Sequence, residues 1–81
     1  MTVLVVGADE EVVAQTLATL GEEDSLIVLD PSAGALEALE HGVRDSRVWY
    51  QIGDGEVVPL PDGSVDAVRG EPGEDVQRVL R

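Results

Sequence analysis

The chain has 81 residues, with 17 acids against 5 arginines, no lysine, one histidine and no cysteine, for a net charge of −12. That length holds one small domain, 1–81, whose core is marginal unless something pairs with it. The composition excludes disulfides, thiolate metal sites, a cysteine nucleophile and a two-histidine relay, and so acidic a surface repels phosphate backbones, so nucleic acid is not an expected partner.

The first segment, Thr2 to Gly7, is a β-branched and aliphatic run closed by glycine, as in a strand buried on both faces of a parallel sheet. Ala8-Asp9-Glu10-Glu11 then opens a helix with Asp9 as its N-cap and the two glutamates at the positive end of the dipole. Val13, Leu17 and Leu20 form its apolar stripe with Val12 beside them, and Gly21 is its stop. After the polar connector Glu22-Glu23-Asp24, Ser25 to Asp30 reads as a second buried strand closed by an acid. Pro31 is placed at the first position of a second helix, where its missing N–H costs nothing. That helix has Ala35, Leu36 and Leu39 inward, Gly42 at its end and His41 in a structural position near its C-terminus.

Arg47 to Ile52 is a third strand, on which Trp49 and Tyr50 face opposite ways. Gly53-Asp54-Gly55 is a loop, and Pro59, Pro61 and Asp62-Gly63 make residues 56–64 a turn-rich connection. Val65 to Arg69 is a weak fourth strand broken by Gly70-Glu71-Pro72-Gly73, and Glu74 to Arg81 has the pattern of two helical turns with Val76, Val79 and Leu80 inward. Strands alternating with helices build right-handed βαβ units. The expected fold is α/β: a truncated Rossmann-like, doubly wound parallel sheet of about four strands in the order 3-2-1-4, with helices on both faces.

In such sheets ligands bind at the carboxyl ends of the strands. Those ends carry Gly7-Ala8, Asp30-Pro31 and Gly53-Asp54-Gly55. Asp30 follows Gly7 by 23 residues, close to the spacing at which a carboxylate accepts from both hydroxyls of a ribose. The rival readings are local: a tight turn at Gly7, a helix cap at Asp30 and an Asx turn at Asp54. The triplets Asp9-Glu10-Glu11 and Glu22-Glu23-Asp24 read as solvated turns, and no metal site is expected.

With these motifs in place, the sequence resembles the cofactor-binding half of the class I S-adenosylmethionine-dependent methyltransferases over nearly its whole length. Val3 to Gly7 resemble the family's first strand and glycine, and Leu29-Asp30-Pro31-Ser32 its second strand and ribose-binding acid. Gly53-Asp54 with Glu56, Leu60 to Ser64 and Val65 to Val68 resemble the adenine-side acid and the Pro-Asp-Gly turn into strand four. The resemblance implies a site for S-adenosylmethionine or S-adenosylhomocysteine at Gly7, Ala8, Asp30, Pro31, Gly53, Asp54 and Gly55, with no catalytic residue. It departs from the family at Asp9 and Glu11, where two further glycines are usual, so side chains there are expected to crowd and repel the cofactor's carboxylate. The Gly70–Asp75 connection is short, and the strands that follow strand four in the family are lacking.

The functional expectation is a methyltransferase-like domain that binds the cofactor weakly and does not catalyse as an isolated chain. The rival is a degenerate, non-catalytic interaction or regulatory module; a dinucleotide-binding half-domain fits the Pro-Asp-Gly segment less well. A bare strand 4 edge and a small core favour a homodimer, through that edge or the C-terminal helix. No apolar run reaches the roughly 18 residues of a membrane helix, so the chain reads as soluble and cytoplasmic. The surplus of acid is either a habit of the source, from GC-rich coding or a salty cytoplasm, or a surface tuned to a basic protein partner.

Overall fold

A computed structural model describes residues 1–70 and 73–81. Its elements in chain order are β1 (Thr2–Val6), α1 (Glu10–Leu17), β2 (Ser25–Asp30), α2 (Ala33–Gly42), β3 (Val48–Ile52), β4 (Ala67–Gly70) and α3 (Val76–Val79). The four strands form one sheet in the order β3-β2-β1-β4, with every pairing parallel. The expected order and the Rossmann-like architecture are therefore the observed ones.

The pleat sorts the strand residues between two cores. Leu4 and Val6 of β1 and Leu29 of β2 face one side, where Val58, Val65, Val76 and Val79 cover them from the 53–66 connection and α3. Val5, Leu26, Val28 and Val48 face the other side, beneath Val13 of α1 and Leu36 and Leu39 of α2. The central strands are buried on both faces, which is why they read as unbroken aliphatic runs.

Several boundaries differ from expectation. Helix α1 stops at Leu17 instead of running to Gly21: the Thr16 hydroxyl donates to the Val12 carbonyl at 2.7 Å and the Thr19 hydroxyl to the Thr16 carbonyl at 2.7 Å. The main chain there tightens into i→i+3 bonds, Thr19 N–H to Thr16 O and Leu20 N–H to Leu17 O. Arg47 then takes over the role assigned to Gly21, donating to the Leu20 carbonyl at 2.9 Å and the Gly21 carbonyl at 3.3 Å while gripping Asp45. Pro31 precedes α2 and is not its first residue; Ser32 is the N-cap, its hydroxyl accepting from Ala35 N–H. At the end of the chain, α3 is one turn and not two. Leu80 turns extended and bridges Val65 in parallel, because Val65 N–H donates to the Val79 carbonyl and Arg81 N–H to the Val65 carbonyl. Strand β4 accordingly begins at Ala67, two residues later than expected, and includes Gly70, which was expected to break it but pairs with Val6; Glu71 and Pro72 of the expected break lie outside the described residues.

Candidate functional site

The carboxyl ends of β1, β2 and β3 share one rim of the sheet. There Val6, Gly7, Asp30, Pro31, Asp54, Gly55, Glu56 and Gly73 enclose a pocket of about 360 Å³. Five of the seven expected site residues line it. Ala8 and Gly53 do not, and both act on it through the main chain: Ala8 N–H donates to Asp30 Oδ2 at 2.9 Å, and Gly53 N–H to the Asp30 carbonyl at 3.1 Å.

Asp30 is the centre of this arrangement. Its Oδ1 accepts from Ser32 N–H at 2.8 Å, opening the way into α2, while Oδ2 holds the turn after β1 from the neighbouring strand. The rival reading of Asp30 as the cap of the second helix does not hold, since Ser32 caps α2; Asp30 shapes the turn before it and lines the rim pocket. Each oxygen spends one of its two lone pairs on the main chain, and the half-buried carboxylate keeps acceptor capacity toward the pocket. Gly7 takes φ +109°, a backbone conformation closed to other residues at little cost, and nothing stands within 4 Å of where a Cβ would be. The turn, not crowding, is what requires glycine there, and it leaves open space beside the rim.

Asp54 is exposed, and its Oδ1 accepts from Glu56 N–H at 3.0 Å and Val57 N–H at 2.9 Å, an Asx turn that shapes the third loop. The three acids of the first loop take the helix-start places expected of them, Asp9 as N-cap and Glu10 and Glu11 in the first turn of α1. Asp9 Oδ1 caps α1 through Glu11 and Val12 N–H, Glu11 accepts from Gln15, and Glu10 lies against Gly42 at the end of α2. None of them lines the pocket; Asp9 borders a smaller hollow of about 190 Å³ on the far side of Gly7.

The back of the pocket was not legible in the sequence. Gly73 packs so closely on Gly55 that a Cβ would overlap the Gly55 carbonyl group. Asp75 N–H donates to the Gly55 carbonyl at 3.0 Å, and Asp75 Oδ2 accepts from Val58 N–H at 2.7 Å. Arg78 ties this corner down, reaching both Asp75 oxygens at 2.8 Å, Asp62 Oδ1 at 2.6 Å, and the carbonyls of Val58 and Leu60 at 2.7 and 2.8 Å. Its bidentate grip, with the Val58 N–H second, holds the Asp75 carboxyl at about 2, below the usual carboxylate range, and Arg78 is itself pushed up, first by Asp75 and then by Asp62. The signal available in the sequence was an Asp and an Arg three residues apart, at 75 and 78; their meeting with the Pro61-Asp62-Gly63 turn belongs to the fold.

Chemically, the rim offers carboxylate acceptors from Asp30, Asp54 and Glu56 and no cation among its lining residues. It suits a ligand with hydroxyl or amine donors, or with positive charge, and disfavours a phosphate. The described residues contain no group of three His, Cys, Asp or Glu that could hold a metal, and no described helix is long and apolar enough to cross a membrane.

Comparison with known proteins agrees with this geometry. Residues 4–69 match the sequence family described as "Methyltransferase domain". The fold is similar to that of a SAM-dependent methyltransferase from Aquifex aeolicus, at a TM-score of 0.83 and 24% identity, over 100% of this chain and 51% of that one. It is also similar to a chain of the complex between the Haloferax volcanii Trm112 methyltransferase activator and a methyltransferase, at a TM-score of 0.80 and 23% identity, over 99% of this chain and 40% of that one. At these identities the likeness is one of fold, and the chain spans about half or less of each neighbour's length. No curated protein matches the sequence.

Proposed function

Because the chain belongs to the methyltransferase domain family, we infer that its rim pocket takes the nucleoside end of S-adenosylmethionine or S-adenosylhomocysteine, weakly, and that methyl transfer needs walls beyond those of the described residues. The observation that carries this reading is the pocket lining: Gly7, Asp30, Asp54 and Gly55 converge from three strand ends, with three carboxylates and no cation.

The residues present fit the group. Asp30 has lone pairs left for a ribose diol, and the open space beside Gly7 admits a ligand to the turn. The volume, about 360 Å³, is at the small end of ligand pockets and matches a nucleoside better than a dinucleotide. The acidic lining opposes pyrophosphate and favours a cationic ligand, which sets the dinucleotide reading aside. When bound, the cofactor supplies an electrophilic methyl group. The chain's own residues orient the nucleoside, through Asp30 at the ribose and the Gly53–Gly55 loop at the base, and positioning is the contribution such a reaction asks of the protein.

A second reading, a non-catalytic interaction or regulatory module, is favoured by one observation: both Asp30 oxygens and Asp54 Oδ1 already serve the main chain. Isotope-labelled chain titrated with S-adenosylhomocysteine separates the two. Amide shifts clustered at Gly7, Asp30 and Gly53–Gly55 support cofactor binding, and silence at millimolar ligand transfers the site to the module reading. The proposal includes a homodimer through the outer edge of β4, which among the described residues has a neighbour only in β1, or through α3. Sedimentation as a stable monomer at high micromolar concentration would remove it.

A further inference from the structure

A groove of about 600 Å³, larger than the rim pocket, lies between α2 and the outer edge of β3, with Leu36 and Ile52 at its floor and Glu37, Glu40, His41 and Arg44 around it. A second groove of about 440 Å³ lies on the opposite face of the same strand, among Ile27, Trp49, Leu60 and Ser64. Between them runs a strand edge that is bare among the described residues, where β3 pairs only with β2.

The ladder fixes what that edge offers. Leu26 N–H bonds to the Arg47 carbonyl and Gly53 N–H to the Asp30 carbonyl. In a parallel ladder this register turns the main-chain groups of Val48, Tyr50 and Ile52 outward. Val48 N–H is taken by the Asp45 carbonyl and Ile52 O accepts from Gln51 Nε2. The Val48 carbonyl, both Tyr50 groups and Ile52 N–H are left facing outward with no strand beside them. The flanking side chains are apolar and open: Trp49 is 64% exposed and Ile52 56% exposed. In the Trp49 groove the Ser64 hydroxyl is sealed from solvent with no partner among the described residues.

We propose that β3 is a docking edge for an extended, lysine- or arginine-flanked segment of a partner protein, which adds a fifth strand there and sends alternate side chains into the Ile52 and Trp49 grooves. Strand addition draws affinity from main-chain bonds and specificity from the pockets on either face. Charge selects the occupant. The chain carries −12, and Glu40 has no cation within 4 Å among the described residues, while Glu37 has only His41 at 4.0 Å. The Glu40 charge reaches the edge itself: after burial, it is the next cause holding the Tyr50 hydroxyl above its ordinary value. A second copy of so acidic a chain would bring Glu37 and Glu40 against more negative charge, which disfavours self-pairing here. The inference stands whether or not the rim pocket binds a nucleoside.

The test uses the full chain and a synthetic peptide of alternating valine and leucine flanked by paired lysines. Trp49 is the only tryptophan and reports directly on its groove. Binding should shift its emission to the blue and protect the Tyr50 and Ile52 amides from exchange. N-methylation of alternate peptide nitrogens, on the edge that faces β3, should weaken binding by about tenfold or more. Ile52→Lys, at an exposed position, should do the same. Glu37→Gln with Glu40→Gln should weaken it about threefold at low salt and not at all in high salt. The proposal fails if the peptide does not bind at millimolar concentration, if N-methylation or a glutamate-flanked peptide leaves affinity unchanged, or if the Tyr50 and Ile52 amides become protected by the chain's own dimerisation.

Discussion

Replacing Asp30 with alanine separates two roles that meet in one carboxylate. The structural role is a latch: Oδ2 holds the half-buried Ala8 N–H across the strands and Oδ1 holds Ser32 N–H at the surface. Hydrogen bonds to charged groups contribute about 1.5–3 kcal/mol when shielded and less in water, so the Ala8 bond is worth about 1.5 kcal/mol and the Ser32 bond about 0.5 kcal/mol. With an unfolding entropy of about 2.1 cal/mol/K per residue, an 81-residue chain has about 0.17 kcal/mol/K, so a loss of about 2 kcal/mol lowers Tm by about 12 °C. Asp30→Asn should lose nearly as much, because one of its two polar atoms becomes an amide donor facing a main-chain N–H. Circular dichroism melts of the three proteins check this. The functional role is read separately, by calorimetry with S-adenosylhomocysteine at a temperature where all three are folded; loss of the ribose contact should weaken binding by about 10- to 100-fold, equivalent to about 1.5–3 kcal/mol. A melt within 2 °C of the parent would refute the latch. A folded Asp30→Ala protein with parental affinity would refute the ribose contact and leave the latch standing.

Gly73→Ala should destabilise the chain and displace the Gly55 loop, since its Cβ meets main chain and no side chain can yield; melts and the Gly55 amide shift report it. Leu29→Ala, at a site with no exposed surface beneath the rim, should cost about 2–5 kcal/mol in urea unfolding. Asp45 and Asp75 are each held at about 2 in the folded chain, the first by Arg47 side-chain and then main-chain bonds, the second by Arg78 and then Val58 N–H. A lowered pKa gives stability that is full above the unfolded value of 3.8 and is lost as pH falls toward 2, so melts should drop through that window, and Asp75→Asn should flatten the drop. A drop unchanged by the substitution would place the acid sensitivity elsewhere.

What the sequence made legible and what it did not follow one physical division. Thr2–Val6 and Ser25–Asp30 were readable because a strand buried on both faces has to be aliphatic throughout, and that constraint acts on each residue separately. The three loop ends were readable because parallel strands put their carboxyl ends on one side, whatever the details between them. The misplaced ends of α1 and α3 depend on hydroxyls that competed with the helix or on a partner far along the chain: Thr16 and Thr19 ending α1, and Val65 drawing Leu80 out of α3. The first-loop acids were legible in part: Asp9 is the N-cap that local pattern assigned to it and Glu10 and Glu11 lie in the first turn of α1, whereas the approach of Glu10 to Gly42 at the end of α2 shows only in the fold. Arg78 shows the division most sharply. Three of its five hydrogen-bond acceptors, the Val58 and Leu60 carbonyls and Asp62 Oδ1, could be sought only once the fold was known, and the other two belong to Asp75, whose own role, holding the Val58 and Gly55 segments, was hidden. A pocket assembled from strand ends is thus announced by local pattern, while the clamp that keeps its third loop in place is a property of the tertiary structure, and substitutions at Asp75 or Arg78 should be felt at Gly55 before they are felt at Asp30.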